Sequence, residues 1–240
     1  TVIQAFNGFI DLIGILFFFF KRFIVNAAHQ LRTPLAVLKT QLQSGLRGDA
    51  PAPVVLQEMS DTVERTIKLA NQMLLLAKIE QRRAQELAET CRLDEVVRDA
   101  AIELSPLIGA KNLDFEIVDC IAPVRGDGWL VGELVRNLLS NAIAHTPDDQ
   151  KLGVVIEAHG PRFQVKIWDS GGGIEHAQME ALFEPFSSAF SATGSGLGLA
   201  ISKEIVRLLG GDIALSNRYE GERRVGLDAV VSLDACGGGN

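Results

Sequence analysis

The 240 residues contain only three cysteines, Cys91, Cys120 and Cys236, which lie far apart in the sequence. This odd number, in no metal-ligand spacing, argues against a disulfide framework and indicates a reducing compartment. Positive charge is also scarce, with 23 Lys and Arg against 30 Asp and Glu. The resulting net charge of -7 argues against a nucleic-acid-binding protein, which needs clustered positive charge.

The sequence has no apolar run long enough to be a clear membrane span. The longest run, Phe9–Phe20, contains Asp11 and Gly14, whereas a spanning helix needs about 20 apolar residues. The run also lacks the basic start and the small-residue cleavage site of a signal peptide. Three interpretations are open: a membrane-proximal helix, which we favour, a buried dimer segment, or an altered stretch.

A helical pattern surrounds His29. The apolar residues recur every three or four positions and form one narrow stripe, made of Phe23, Ala27, Leu31, Leu35, Leu38 and Leu42. His29 lies on the opposite side of this helix, and Thr33 follows one turn later on the same face. The pattern therefore predicts that His29 faces solvent. Taken alone, this histidine is more typical of an ordinary surface residue than of a reactive one.

A second long helix is predicted after the turn residues of Ser44–Pro53. Its apolar series has heptad spacing and consists of Met59, Val63, Thr66, Ala70, Met73 and Ala77. A hairpin of two such helices cannot bury both apolar stripes by itself, so we expect two copies to pair into a four-helix bundle. The alternative is that the hairpin packs on its own C-terminal domain.

The pattern changes after Glu89 to mixed helices and strands. Leu113–Val118 alternates as a strand does, and Gly128–His145 has a helical pattern that Pro147 closes. Glu133, Asn137 and Asn141 are four residues apart and share one face of that helix. Amide oxygens are suitable ligands for Mg²⁺. A solvated polar face is the alternative explanation.

Two predicted strands, Val154–His159 and Phe163–Trp168, lead directly into Asp169 and three glycines. The glycines allow close approach of a flat ligand, and the carboxylate can accept a hydrogen bond from an exocyclic amine such as that of adenine. Further along, the glycine-rich Gly194–Gly198 opens another helix, whose N-terminus attracts anions. Together these features describe an ATP site.

At this point the sequence resembles the transmitter region of a bacterial sensor histidine kinase. His29–Leu35 resembles the H box, Asn137–Ala142 the N box, and Phe183–Phe186 the F box, while Asp169–Ile174 and Gly194–Leu199 resemble the two glycine boxes. The resemblance implies an α-helical hairpin that forms a dimeric four-helix bundle. An α/β two-layer sandwich of the GHKL (Bergerat) type, with a mixed sheet, would follow it.

The resemblance also implies roles for particular residues. His29 would accept the γ-phosphoryl group of ATP and pass it to an aspartate in the receiver domain of a response regulator, while Thr33 would place water in the reverse, phosphatase reaction. Asn137 would contact Mg²⁺. Nucleotide contacts would come from Asn137, Asn141, His145, Asp169, Gly171, Gly173, Gly194, Gly196, Gly198 and Leu199.

Three features depart from the family pattern. Gln30 stands where Glu is frequent, and it can orient an imidazole but cannot act as a base. Ala144 and His145 replace a basic residue and Tyr, and the segment Ser187–Thr193 has no Lys or Arg. Two further functions are therefore considered: a nucleotide-binding module with little catalysis, and a GHKL ATPase that uses Glu133 as its base.

We expect four segments in the chain. Residues 1–22 would be a membrane-proximal or linker helix, 23–90 the dimerisation and histidine phosphotransfer domain, 93–236 the catalytic ATP-binding domain and 237–240 a flexible tail. Because the sequence starts at Thr1 rather than Met, we expect a piece of a longer protein. It would be the cytoplasmic portion of an inner-membrane protein, attached through its N-terminal part.

Overall fold

The computed structural model describes residues 31–83, 89–183 and 197–236. These residues belong to two compact units, which divide between Leu74 and Leu75. Within the described ranges, no helix is long and apolar enough to cross a membrane. The apolar run Phe9–Phe20 lies outside those ranges, so its predicted contact with a membrane stays a prediction.

The first unit contains a helical hairpin. Helix α1 covers residues 31–47 and α2 runs from Ala52 to Arg83, so that its last turns belong to the second unit. Gly48 ends α1 with a φ of +76°, and its N–H donates to the Gly45 carbonyl at 3.2 Å. Glycine adopts this left-handed conformation without steric cost, as the turn residues of the sequence predicted.

The buried face of α2 differs from the predicted heptad series. Val55, Thr62, Leu69 and Met73 are buried, whereas Val63 remains 42% exposed. The start of this face is fixed by Val55, whose side chain lies against Gly45 of α1. Of the predicted series, Met73 is buried, Met59, Thr66 and Ala70 are half-buried, and Val63 and Ala77 are exposed in the single hairpin.

A second apolar series of α2 stays exposed in this unit. Its members are large side chains at least 42% exposed: Leu56, Val63, Ile67 and Leu74. On α1, Leu35 and Leu42 are 57% and 50% exposed. The hairpin therefore carries more apolar surface than it buries by itself.

The second unit is built on a five-stranded mixed sheet with strand order β2-β4-β5-β7-β6. Strand β2 pairs parallel with β4, and the other neighbours are antiparallel. The strands are β2 (Asp114–Val118), β4 (Lys151–His159), β5 (Arg162–Trp168), β6 (Asp212–Glu220) and β7 (Arg223–Asp234). This arrangement confirms the predicted α/β fold with a mixed sheet.

Helices cover one face of that sheet. The helices are α3 (Leu93–Ala110), α4 (Gly128–His145), the short α5 (His176–Met179) and α6 (Gly198–Leu208), and a 3₁₀ turn covers Glu180–Phe183. Alternate residues of the strands, such as Val154, Val165 and Val231, are buried toward the helices. Outside the main sheet, β1 (Thr90–Arg92) pairs with β3 (Pro123–Arg125).

The start and end of α4 are fixed by local hydrogen bonds. The Asp127 carboxylate accepts a hydrogen bond from the Trp129 N–H at 2.8 Å and so caps the N-terminus. At the other end, the buried Thr146 hydroxyl donates to the Ala142 carbonyl at 2.7 Å, directly before Pro147. The helix therefore ends where the proline predicted, at the edge of the loop that follows β5.

Helix α3 continues through Pro106 to Ala110. Near its start, the side chain of Asp94 is fully buried and accepts hydrogen bonds from Arg92, Arg98 and the Ala122 N–H. The hydrogen bond from Arg92 is the main reason that the pKa of Asp94 lies well below its usual range. This carboxylate joins the helix to the chain that enters β3.

Candidate nucleotide-binding site

Asp169 lies immediately after β5. The sequence predicted that its carboxylate accepts a hydrogen bond from an exocyclic amine. Its side chain is buried, with 6% of the residue exposed. One carboxylate oxygen, Oδ1, accepts hydrogen bonds from the Gly171 N–H at 2.8 Å and the Leu227 N–H at 3.2 Å. No residue in the described part of the chain donates to Oδ2, which leaves that oxygen as an acceptor for a ligand.

The electrostatic environment of Asp169 is mixed. Burial raises the pKa of its carboxyl, while the two backbone hydrogen bonds and the positive charges of His145 and Arg218 lower it. The net shift is upward, because burial is the largest contribution. A raised pKa of this kind, in a carboxyl with specific partners, is typical of functional sites.

Close contacts require two of the three glycines after Asp169. A Cβ on Gly171 would lie 2.7 Å from the carbonyl oxygen of His145 and 3.0 Å from Oδ1 of Asp169. Gly173 has a φ of +63°, and a Cβ there would lie within 2.6 Å of both Arg224 and Asn217. The loop 169–174 therefore packs tightly between the end of α4 and the β6–β7 hairpin.

Side chains of the β6–β7 hairpin hold this loop by its backbone. The Asn217 amide accepts from the Ile174 N–H at 2.8 Å and donates to the Ile174 carbonyl at 2.7 Å. Arg224 donates to the carbonyls of Gly172 at 2.6 Å and Ile174 at 2.8 Å. Sequence reasoning missed both residues, although an Asn inside a strand is unusual enough to be a signal.

Arg218 contacts the same loop at Asp169, the first residue of the loop. Its guanidinium donates to the backbone carbonyl of Asp169 at 3.0 Å and stacks over the Trp168 ring at 4.4 Å from the centroid. It also lies 3.6 Å from the carboxylate of Asp228. The start of the loop is thus fixed by a cation that the sequence did not single out.

The predicted polar face of α4 is partly buried. The side-chain nitrogen of Asn137 is buried and has no hydrogen-bond acceptor among the described residues. Glu133, one turn earlier, accepts a hydrogen bond from Arg136 at 2.5 Å. A phosphate oxygen would satisfy the Asn137 nitrogen, and the same amide turned by 180° would offer its oxygen to a cation.

Lys111 holds the end of α4 that meets the glycine loop. Its ammonium donates to the carbonyls of Ile143 at 3.0 Å, Ala144 at 3.3 Å and Thr146 at 2.5 Å. A cation at a helix C-terminus also interacts favourably with the helix dipole. The side chain of His145 is exposed there, and its backbone carbonyl faces Gly171.

The structure brings together the part of the predicted site formed by Asp169, Gly171, Gly173 and the end of α4. Gly198 and Leu199 form the first turn of α6. Thr33 lies on α1 and is exposed. The predicted phosphoacceptor and its neighbour, His29 and Gln30, lie outside the described residues, as do Gly194 and Gly196.

Two protein families match this sequence. Residues 21–82 match the family described as "His Kinase A (phospho-acceptor) domain". Residues 126–234 match the family described as "Histidine kinase-, DNA gyrase B-, and HSP90-like ATPase". The second match contains Asn137, Asp169 and the β6–β7 hairpin.

The chain is 33% identical over 219 residues to the sensor protein kinase PmrB of Pseudomonas aeruginosa, a match that covers 89% of this chain and 45% of that protein. The chain spans about half the length of the first curated relatives it matches.

Solved structures of histidine kinases are similar to this one. The histidine kinase AdeS of Acinetobacter baumannii has a TM-score of 0.67 and 25% identity, over 86% of this chain and 97% of that one. The histidine kinase ThkA, in complex with the response regulator protein TrrA, has a TM-score of 0.66 and 21% identity, over 88% of this chain and 60% of that one. The second likeness concerns the fold alone.

A phosphoacceptor-domain match followed by an ATPase-domain match is the order that the sequence motifs predicted. The helical hairpin and the mixed-sheet domain agree with that order. The chain therefore belongs to the sensor histidine kinases, and it comprises the transmitter region of such a protein.

Proposed function

We propose that this chain is a protein-histidine kinase that phosphorylates His29 with ATP and then transfers the phosphoryl group to an aspartate of a response regulator. The observation that carries the proposal is the buried Asp169 carboxylate, which keeps Oδ2 as an acceptor at the edge of a tightly packed glycine loop. An acceptor in this position suits the exocyclic amine of adenine. The same domain belongs to a family of ATPases.

The nucleotide would extend from Asp169 along the polar face of α4. Asn141 and His145 would contact it near the N box, and the turn Gly194–Leu199 would meet its phosphates at the N-terminus of α6. Since the segment Ser187–Thr193 carries no Lys or Arg, backbone N–H groups would supply much of the phosphate binding. His145 is exposed and can supply a further contact.

The residues present fit a magnesium ion bound together with the nucleotide. No cluster of three or more His, Cys, Asp or Glu residues occurs within the part of the chain that the structure covers. Mg²⁺ often takes only one or two protein ligands and completes its shell with water and phosphate oxygens. Asn137 would be that protein ligand, and the bound ion would neutralise charge on the phosphates.

The phosphoryl transfer would use the imidazole of His29 as the nucleophile. A ring nitrogen would form a bond to the γ-phosphorus while the bond from that phosphorus to the bridging oxygen of ADP breaks, and the imidazole proton would leave to solvent. Gln30 would orient the ring without accepting the proton. The exposed Thr33, one turn later, would place a water in the reverse, phosphatase reaction.

We further propose a homodimer as the working form. The exposed apolar series of α2, which includes Val63, Ile67 and Leu74, is the surface that a second hairpin would cover. The partner in phosphotransfer would be a response regulator receiver domain, as in the ThkA complex with TrrA. The exposed Lys39 and Gln43 of α1 would contribute to that docking surface. Attachment to a membrane would occur through the N-terminal part.

The test is incubation of the full chain with γ-labelled ATP and Mg²⁺, beside His29→Ala. We expect acid-labile label on the wild-type protein, no label on His29→Ala, and equal ADP binding by both. Label that persists in His29→Ala would refute His29 as the phosphoacceptor. Nucleotide binding without any label would instead indicate a binding module with little catalysis.

A third outcome would be steady release of phosphate without label, which would indicate an ATPase with Glu133 as its base. The ion pair of Glu133 with Arg136, at 2.5 Å, disfavours that role. Because Arg136 binds the carboxylate and stabilises its charge, Glu133 is less available to accept a proton. Glu133→Gln separates the two functions, since it should leave labelling of His29 largely intact but would abolish hydrolysis by such an ATPase.

A further inference from the structure

We infer that Asn217 and Arg224 are positioning residues that give the site its preference for adenine over purines without the exocyclic amine. We call these two side chains the hairpin latch. The inference rests on the proposed function, in which Asp169 accepts a hydrogen bond from that amine. It adds a second group of residues, on another part of the sheet, that would control the position of Asp169.

The hairpin latch makes the hydrogen bonds that hold the far half of the loop. The carbonyl of Gly172 and both backbone polar groups of Ile174 are all bonded to Asn217 or Arg224. Within the described residues, these are the backbone hydrogen bonds that fix positions 172–174. Without them this glycine-rich segment would regain many conformations, because glycine has the largest conformational freedom of any residue.

Asn217 binds Ile174 in the manner of a neighbouring strand. Its side-chain amide accepts from the Ile174 N–H and donates to the Ile174 carbonyl, at 2.8 and 2.7 Å. An amide that makes both bonds defines the position and the orientation of the peptide it meets. A carboxylate or an ammonium group cannot replace it, since the first only accepts hydrogen bonds and the second only donates them.

Arg224 adds a second restraint through its stem as well as its guanidinium. The Gly173 position faces the Cδ and Cγ atoms of Arg224, so closely that a Cβ on Gly173 would lie 2.5 Å from Cδ. The guanidinium then reaches two carbonyls, one on each side of Gly173. The loop is therefore enclosed by the arginine rather than touched at a single atom.

The near half of the loop is attached to the next part of the same hairpin. The Leu227 N–H donates to Oδ1 of Asp169, and the Arg218 guanidinium donates to the Asp169 carbonyl. A Cβ on Gly226 would lie 2.0 Å from that carbonyl, so the strand backbone approaches the loop directly. The hairpin latch thus completes an attachment that begins at Asp169, and together they fix the direction in which Oδ2 points.

A purely structural role predicts a different result from a positioning role. If the hairpin latch only stabilised the domain, its loss would weaken all nucleotides in parallel. If it positions Asp169, its loss would weaken ATP and leave inosine triphosphate almost unchanged. Inosine triphosphate carries a carbonyl in place of the amine, so it has no donor at the position that would face Oδ2.

The experiment measures dissociation constants for ATP and inosine triphosphate by calorimetry. All proteins carry His29→Ala, which prevents turnover. The variants are Asn217→Ala and Arg224→Met, and the matched control is Arg223→Met. Arg223 is the adjacent residue of β7 and is exposed. Arg224→Met keeps the stem that packs against Gly173, so it is the less disruptive of the two and remains informative if Asn217→Ala fails to fold.

We expect the wild-type protein to bind ATP at least tenfold more tightly than inosine triphosphate. Each latch variant should lower this ratio of affinities by about fivefold or more, and Arg223→Met should leave the ratio unchanged. Thermal unfolding of every variant is recorded in parallel. In Asp169→Asn, Arg224→Met should produce no further change in the ratio, because the two residues act through the same oxygen.

Two results would overturn the inference, and they are distinguishable. If the wild-type protein does not discriminate between the two nucleotides, recognition of the adenine amine by Asp169 is refuted, and with it the role of the hairpin latch. A discriminating wild type whose ratio survives in both latch variants would refute the latch alone. An equal loss of affinity for ATP and for inosine triphosphate in the latch variants would also refute the latch alone.

Discussion

Replacing Gly171 with alanine tests whether the loop and the end of α4 pack as closely as the structure shows. The new Cβ would lie 2.7 Å from the His145 carbonyl oxygen and 3.0 Å from Oδ1 of Asp169. Neither atom can yield easily. The carbonyl belongs to a helix end that Lys111 holds through three neighbouring carbonyls, and Oδ1 is bound by two N–H groups. Either the loop or the helix end must therefore move.

The cost can be estimated from two terms. Overpacking of a close contact typically costs 1–3 kcal/mol, and about 2 kcal/mol would lower the urea midpoint of the nucleotide-free protein by about 1 M. Displacement of Asp169 would also weaken the hydrogen bond that we propose it accepts from the nucleotide. Loss of a charged hydrogen bond of about 1.5–3 kcal/mol corresponds to roughly a 10- to 100-fold weaker affinity.

Gly172→Ala is the matched control, since a Cβ at Gly172 meets no atom within 4 Å. Urea unfolding and calorimetric titration with ADP would be measured on Gly171→Ala, Gly172→Ala and the wild type. We expect Gly172→Ala to change the unfolding free energy by no more than about 0.5 kcal/mol. If the two variants behave alike, the close contact of Gly171 with His145 is refuted.

Four further predictions concern other parts of the chain. Asp94→Asn should lower the unfolding free energy by about 2 kcal/mol, because it removes the buried charge that accepts from the Arg92 guanidinium and the Ala122 N–H. Since the folded pKa of Asp94 is depressed, its stabilisation is complete above about pH 4 and is lost as the pH falls below that value, so acid unfolding curves of wild type and variant should converge. Asp169→Asn should do the opposite to stability: burial raises its folded pKa, so the carboxylate costs stability above about pH 4, and the nucleotide-free variant should melt at a higher temperature at pH 7 while binding ATP more weakly. Gln30→Glu should raise the rate of autophosphorylation with labelled ATP, because it supplies a proton acceptor, and an unchanged or lower rate would exclude that role. Ile67→Lys should halve the mass measured by light scattering, because it places a charge on the exposed apolar series of α2, whereas Glu64→Lys on the neighbouring exposed surface should leave the mass unchanged.

Local patterns were sufficient to predict the elements that carry Asn137 and Asp169. The helix that carries Asn137 has a clear apolar period and ends at a proline, and the strand before Asp169 alternates in the ordinary way. The glycines after Asp169 predicted close approach of a ligand, which stays a prediction, while Gly171 and Gly173 make close contacts with the protein itself. In each case the information lies within a few residues of the feature.

The hairpin latch could not be predicted in the same way. Asn217 lies 43 positions beyond Ile174, and its contact depends on the register of β6 against β7. That register shifts between Arg218 and Tyr219, where an irregularity redirects the side chains that follow. A sequence pattern cannot fix a shift of one residue that only the paired strand determines.

The face of α2 that the single hairpin buries could not be predicted for a related reason. Met59, Thr66 and Met73 belong both to the predicted series and to the buried face, so the two series agree at every seventh residue. The positions between them decide the face, and both Thr62 and Val63 are compatible with a helix. Packing of Val55 on Gly45, across the turn, makes the choice.

The last two strands of this domain have a consequence for biosynthesis. Leu227 and Arg224 are made more than fifty residues after Asp169, and the loop 169–174 has its full set of backbone partners only once β7 is in place. A chain still attached to the ribosome before that point has the helices of the domain but an incompletely held loop 169–174. Capture of ATP during translation would therefore be delayed until the domain is almost complete, and premature stops before residue 224 would yield proteins unable to bind it.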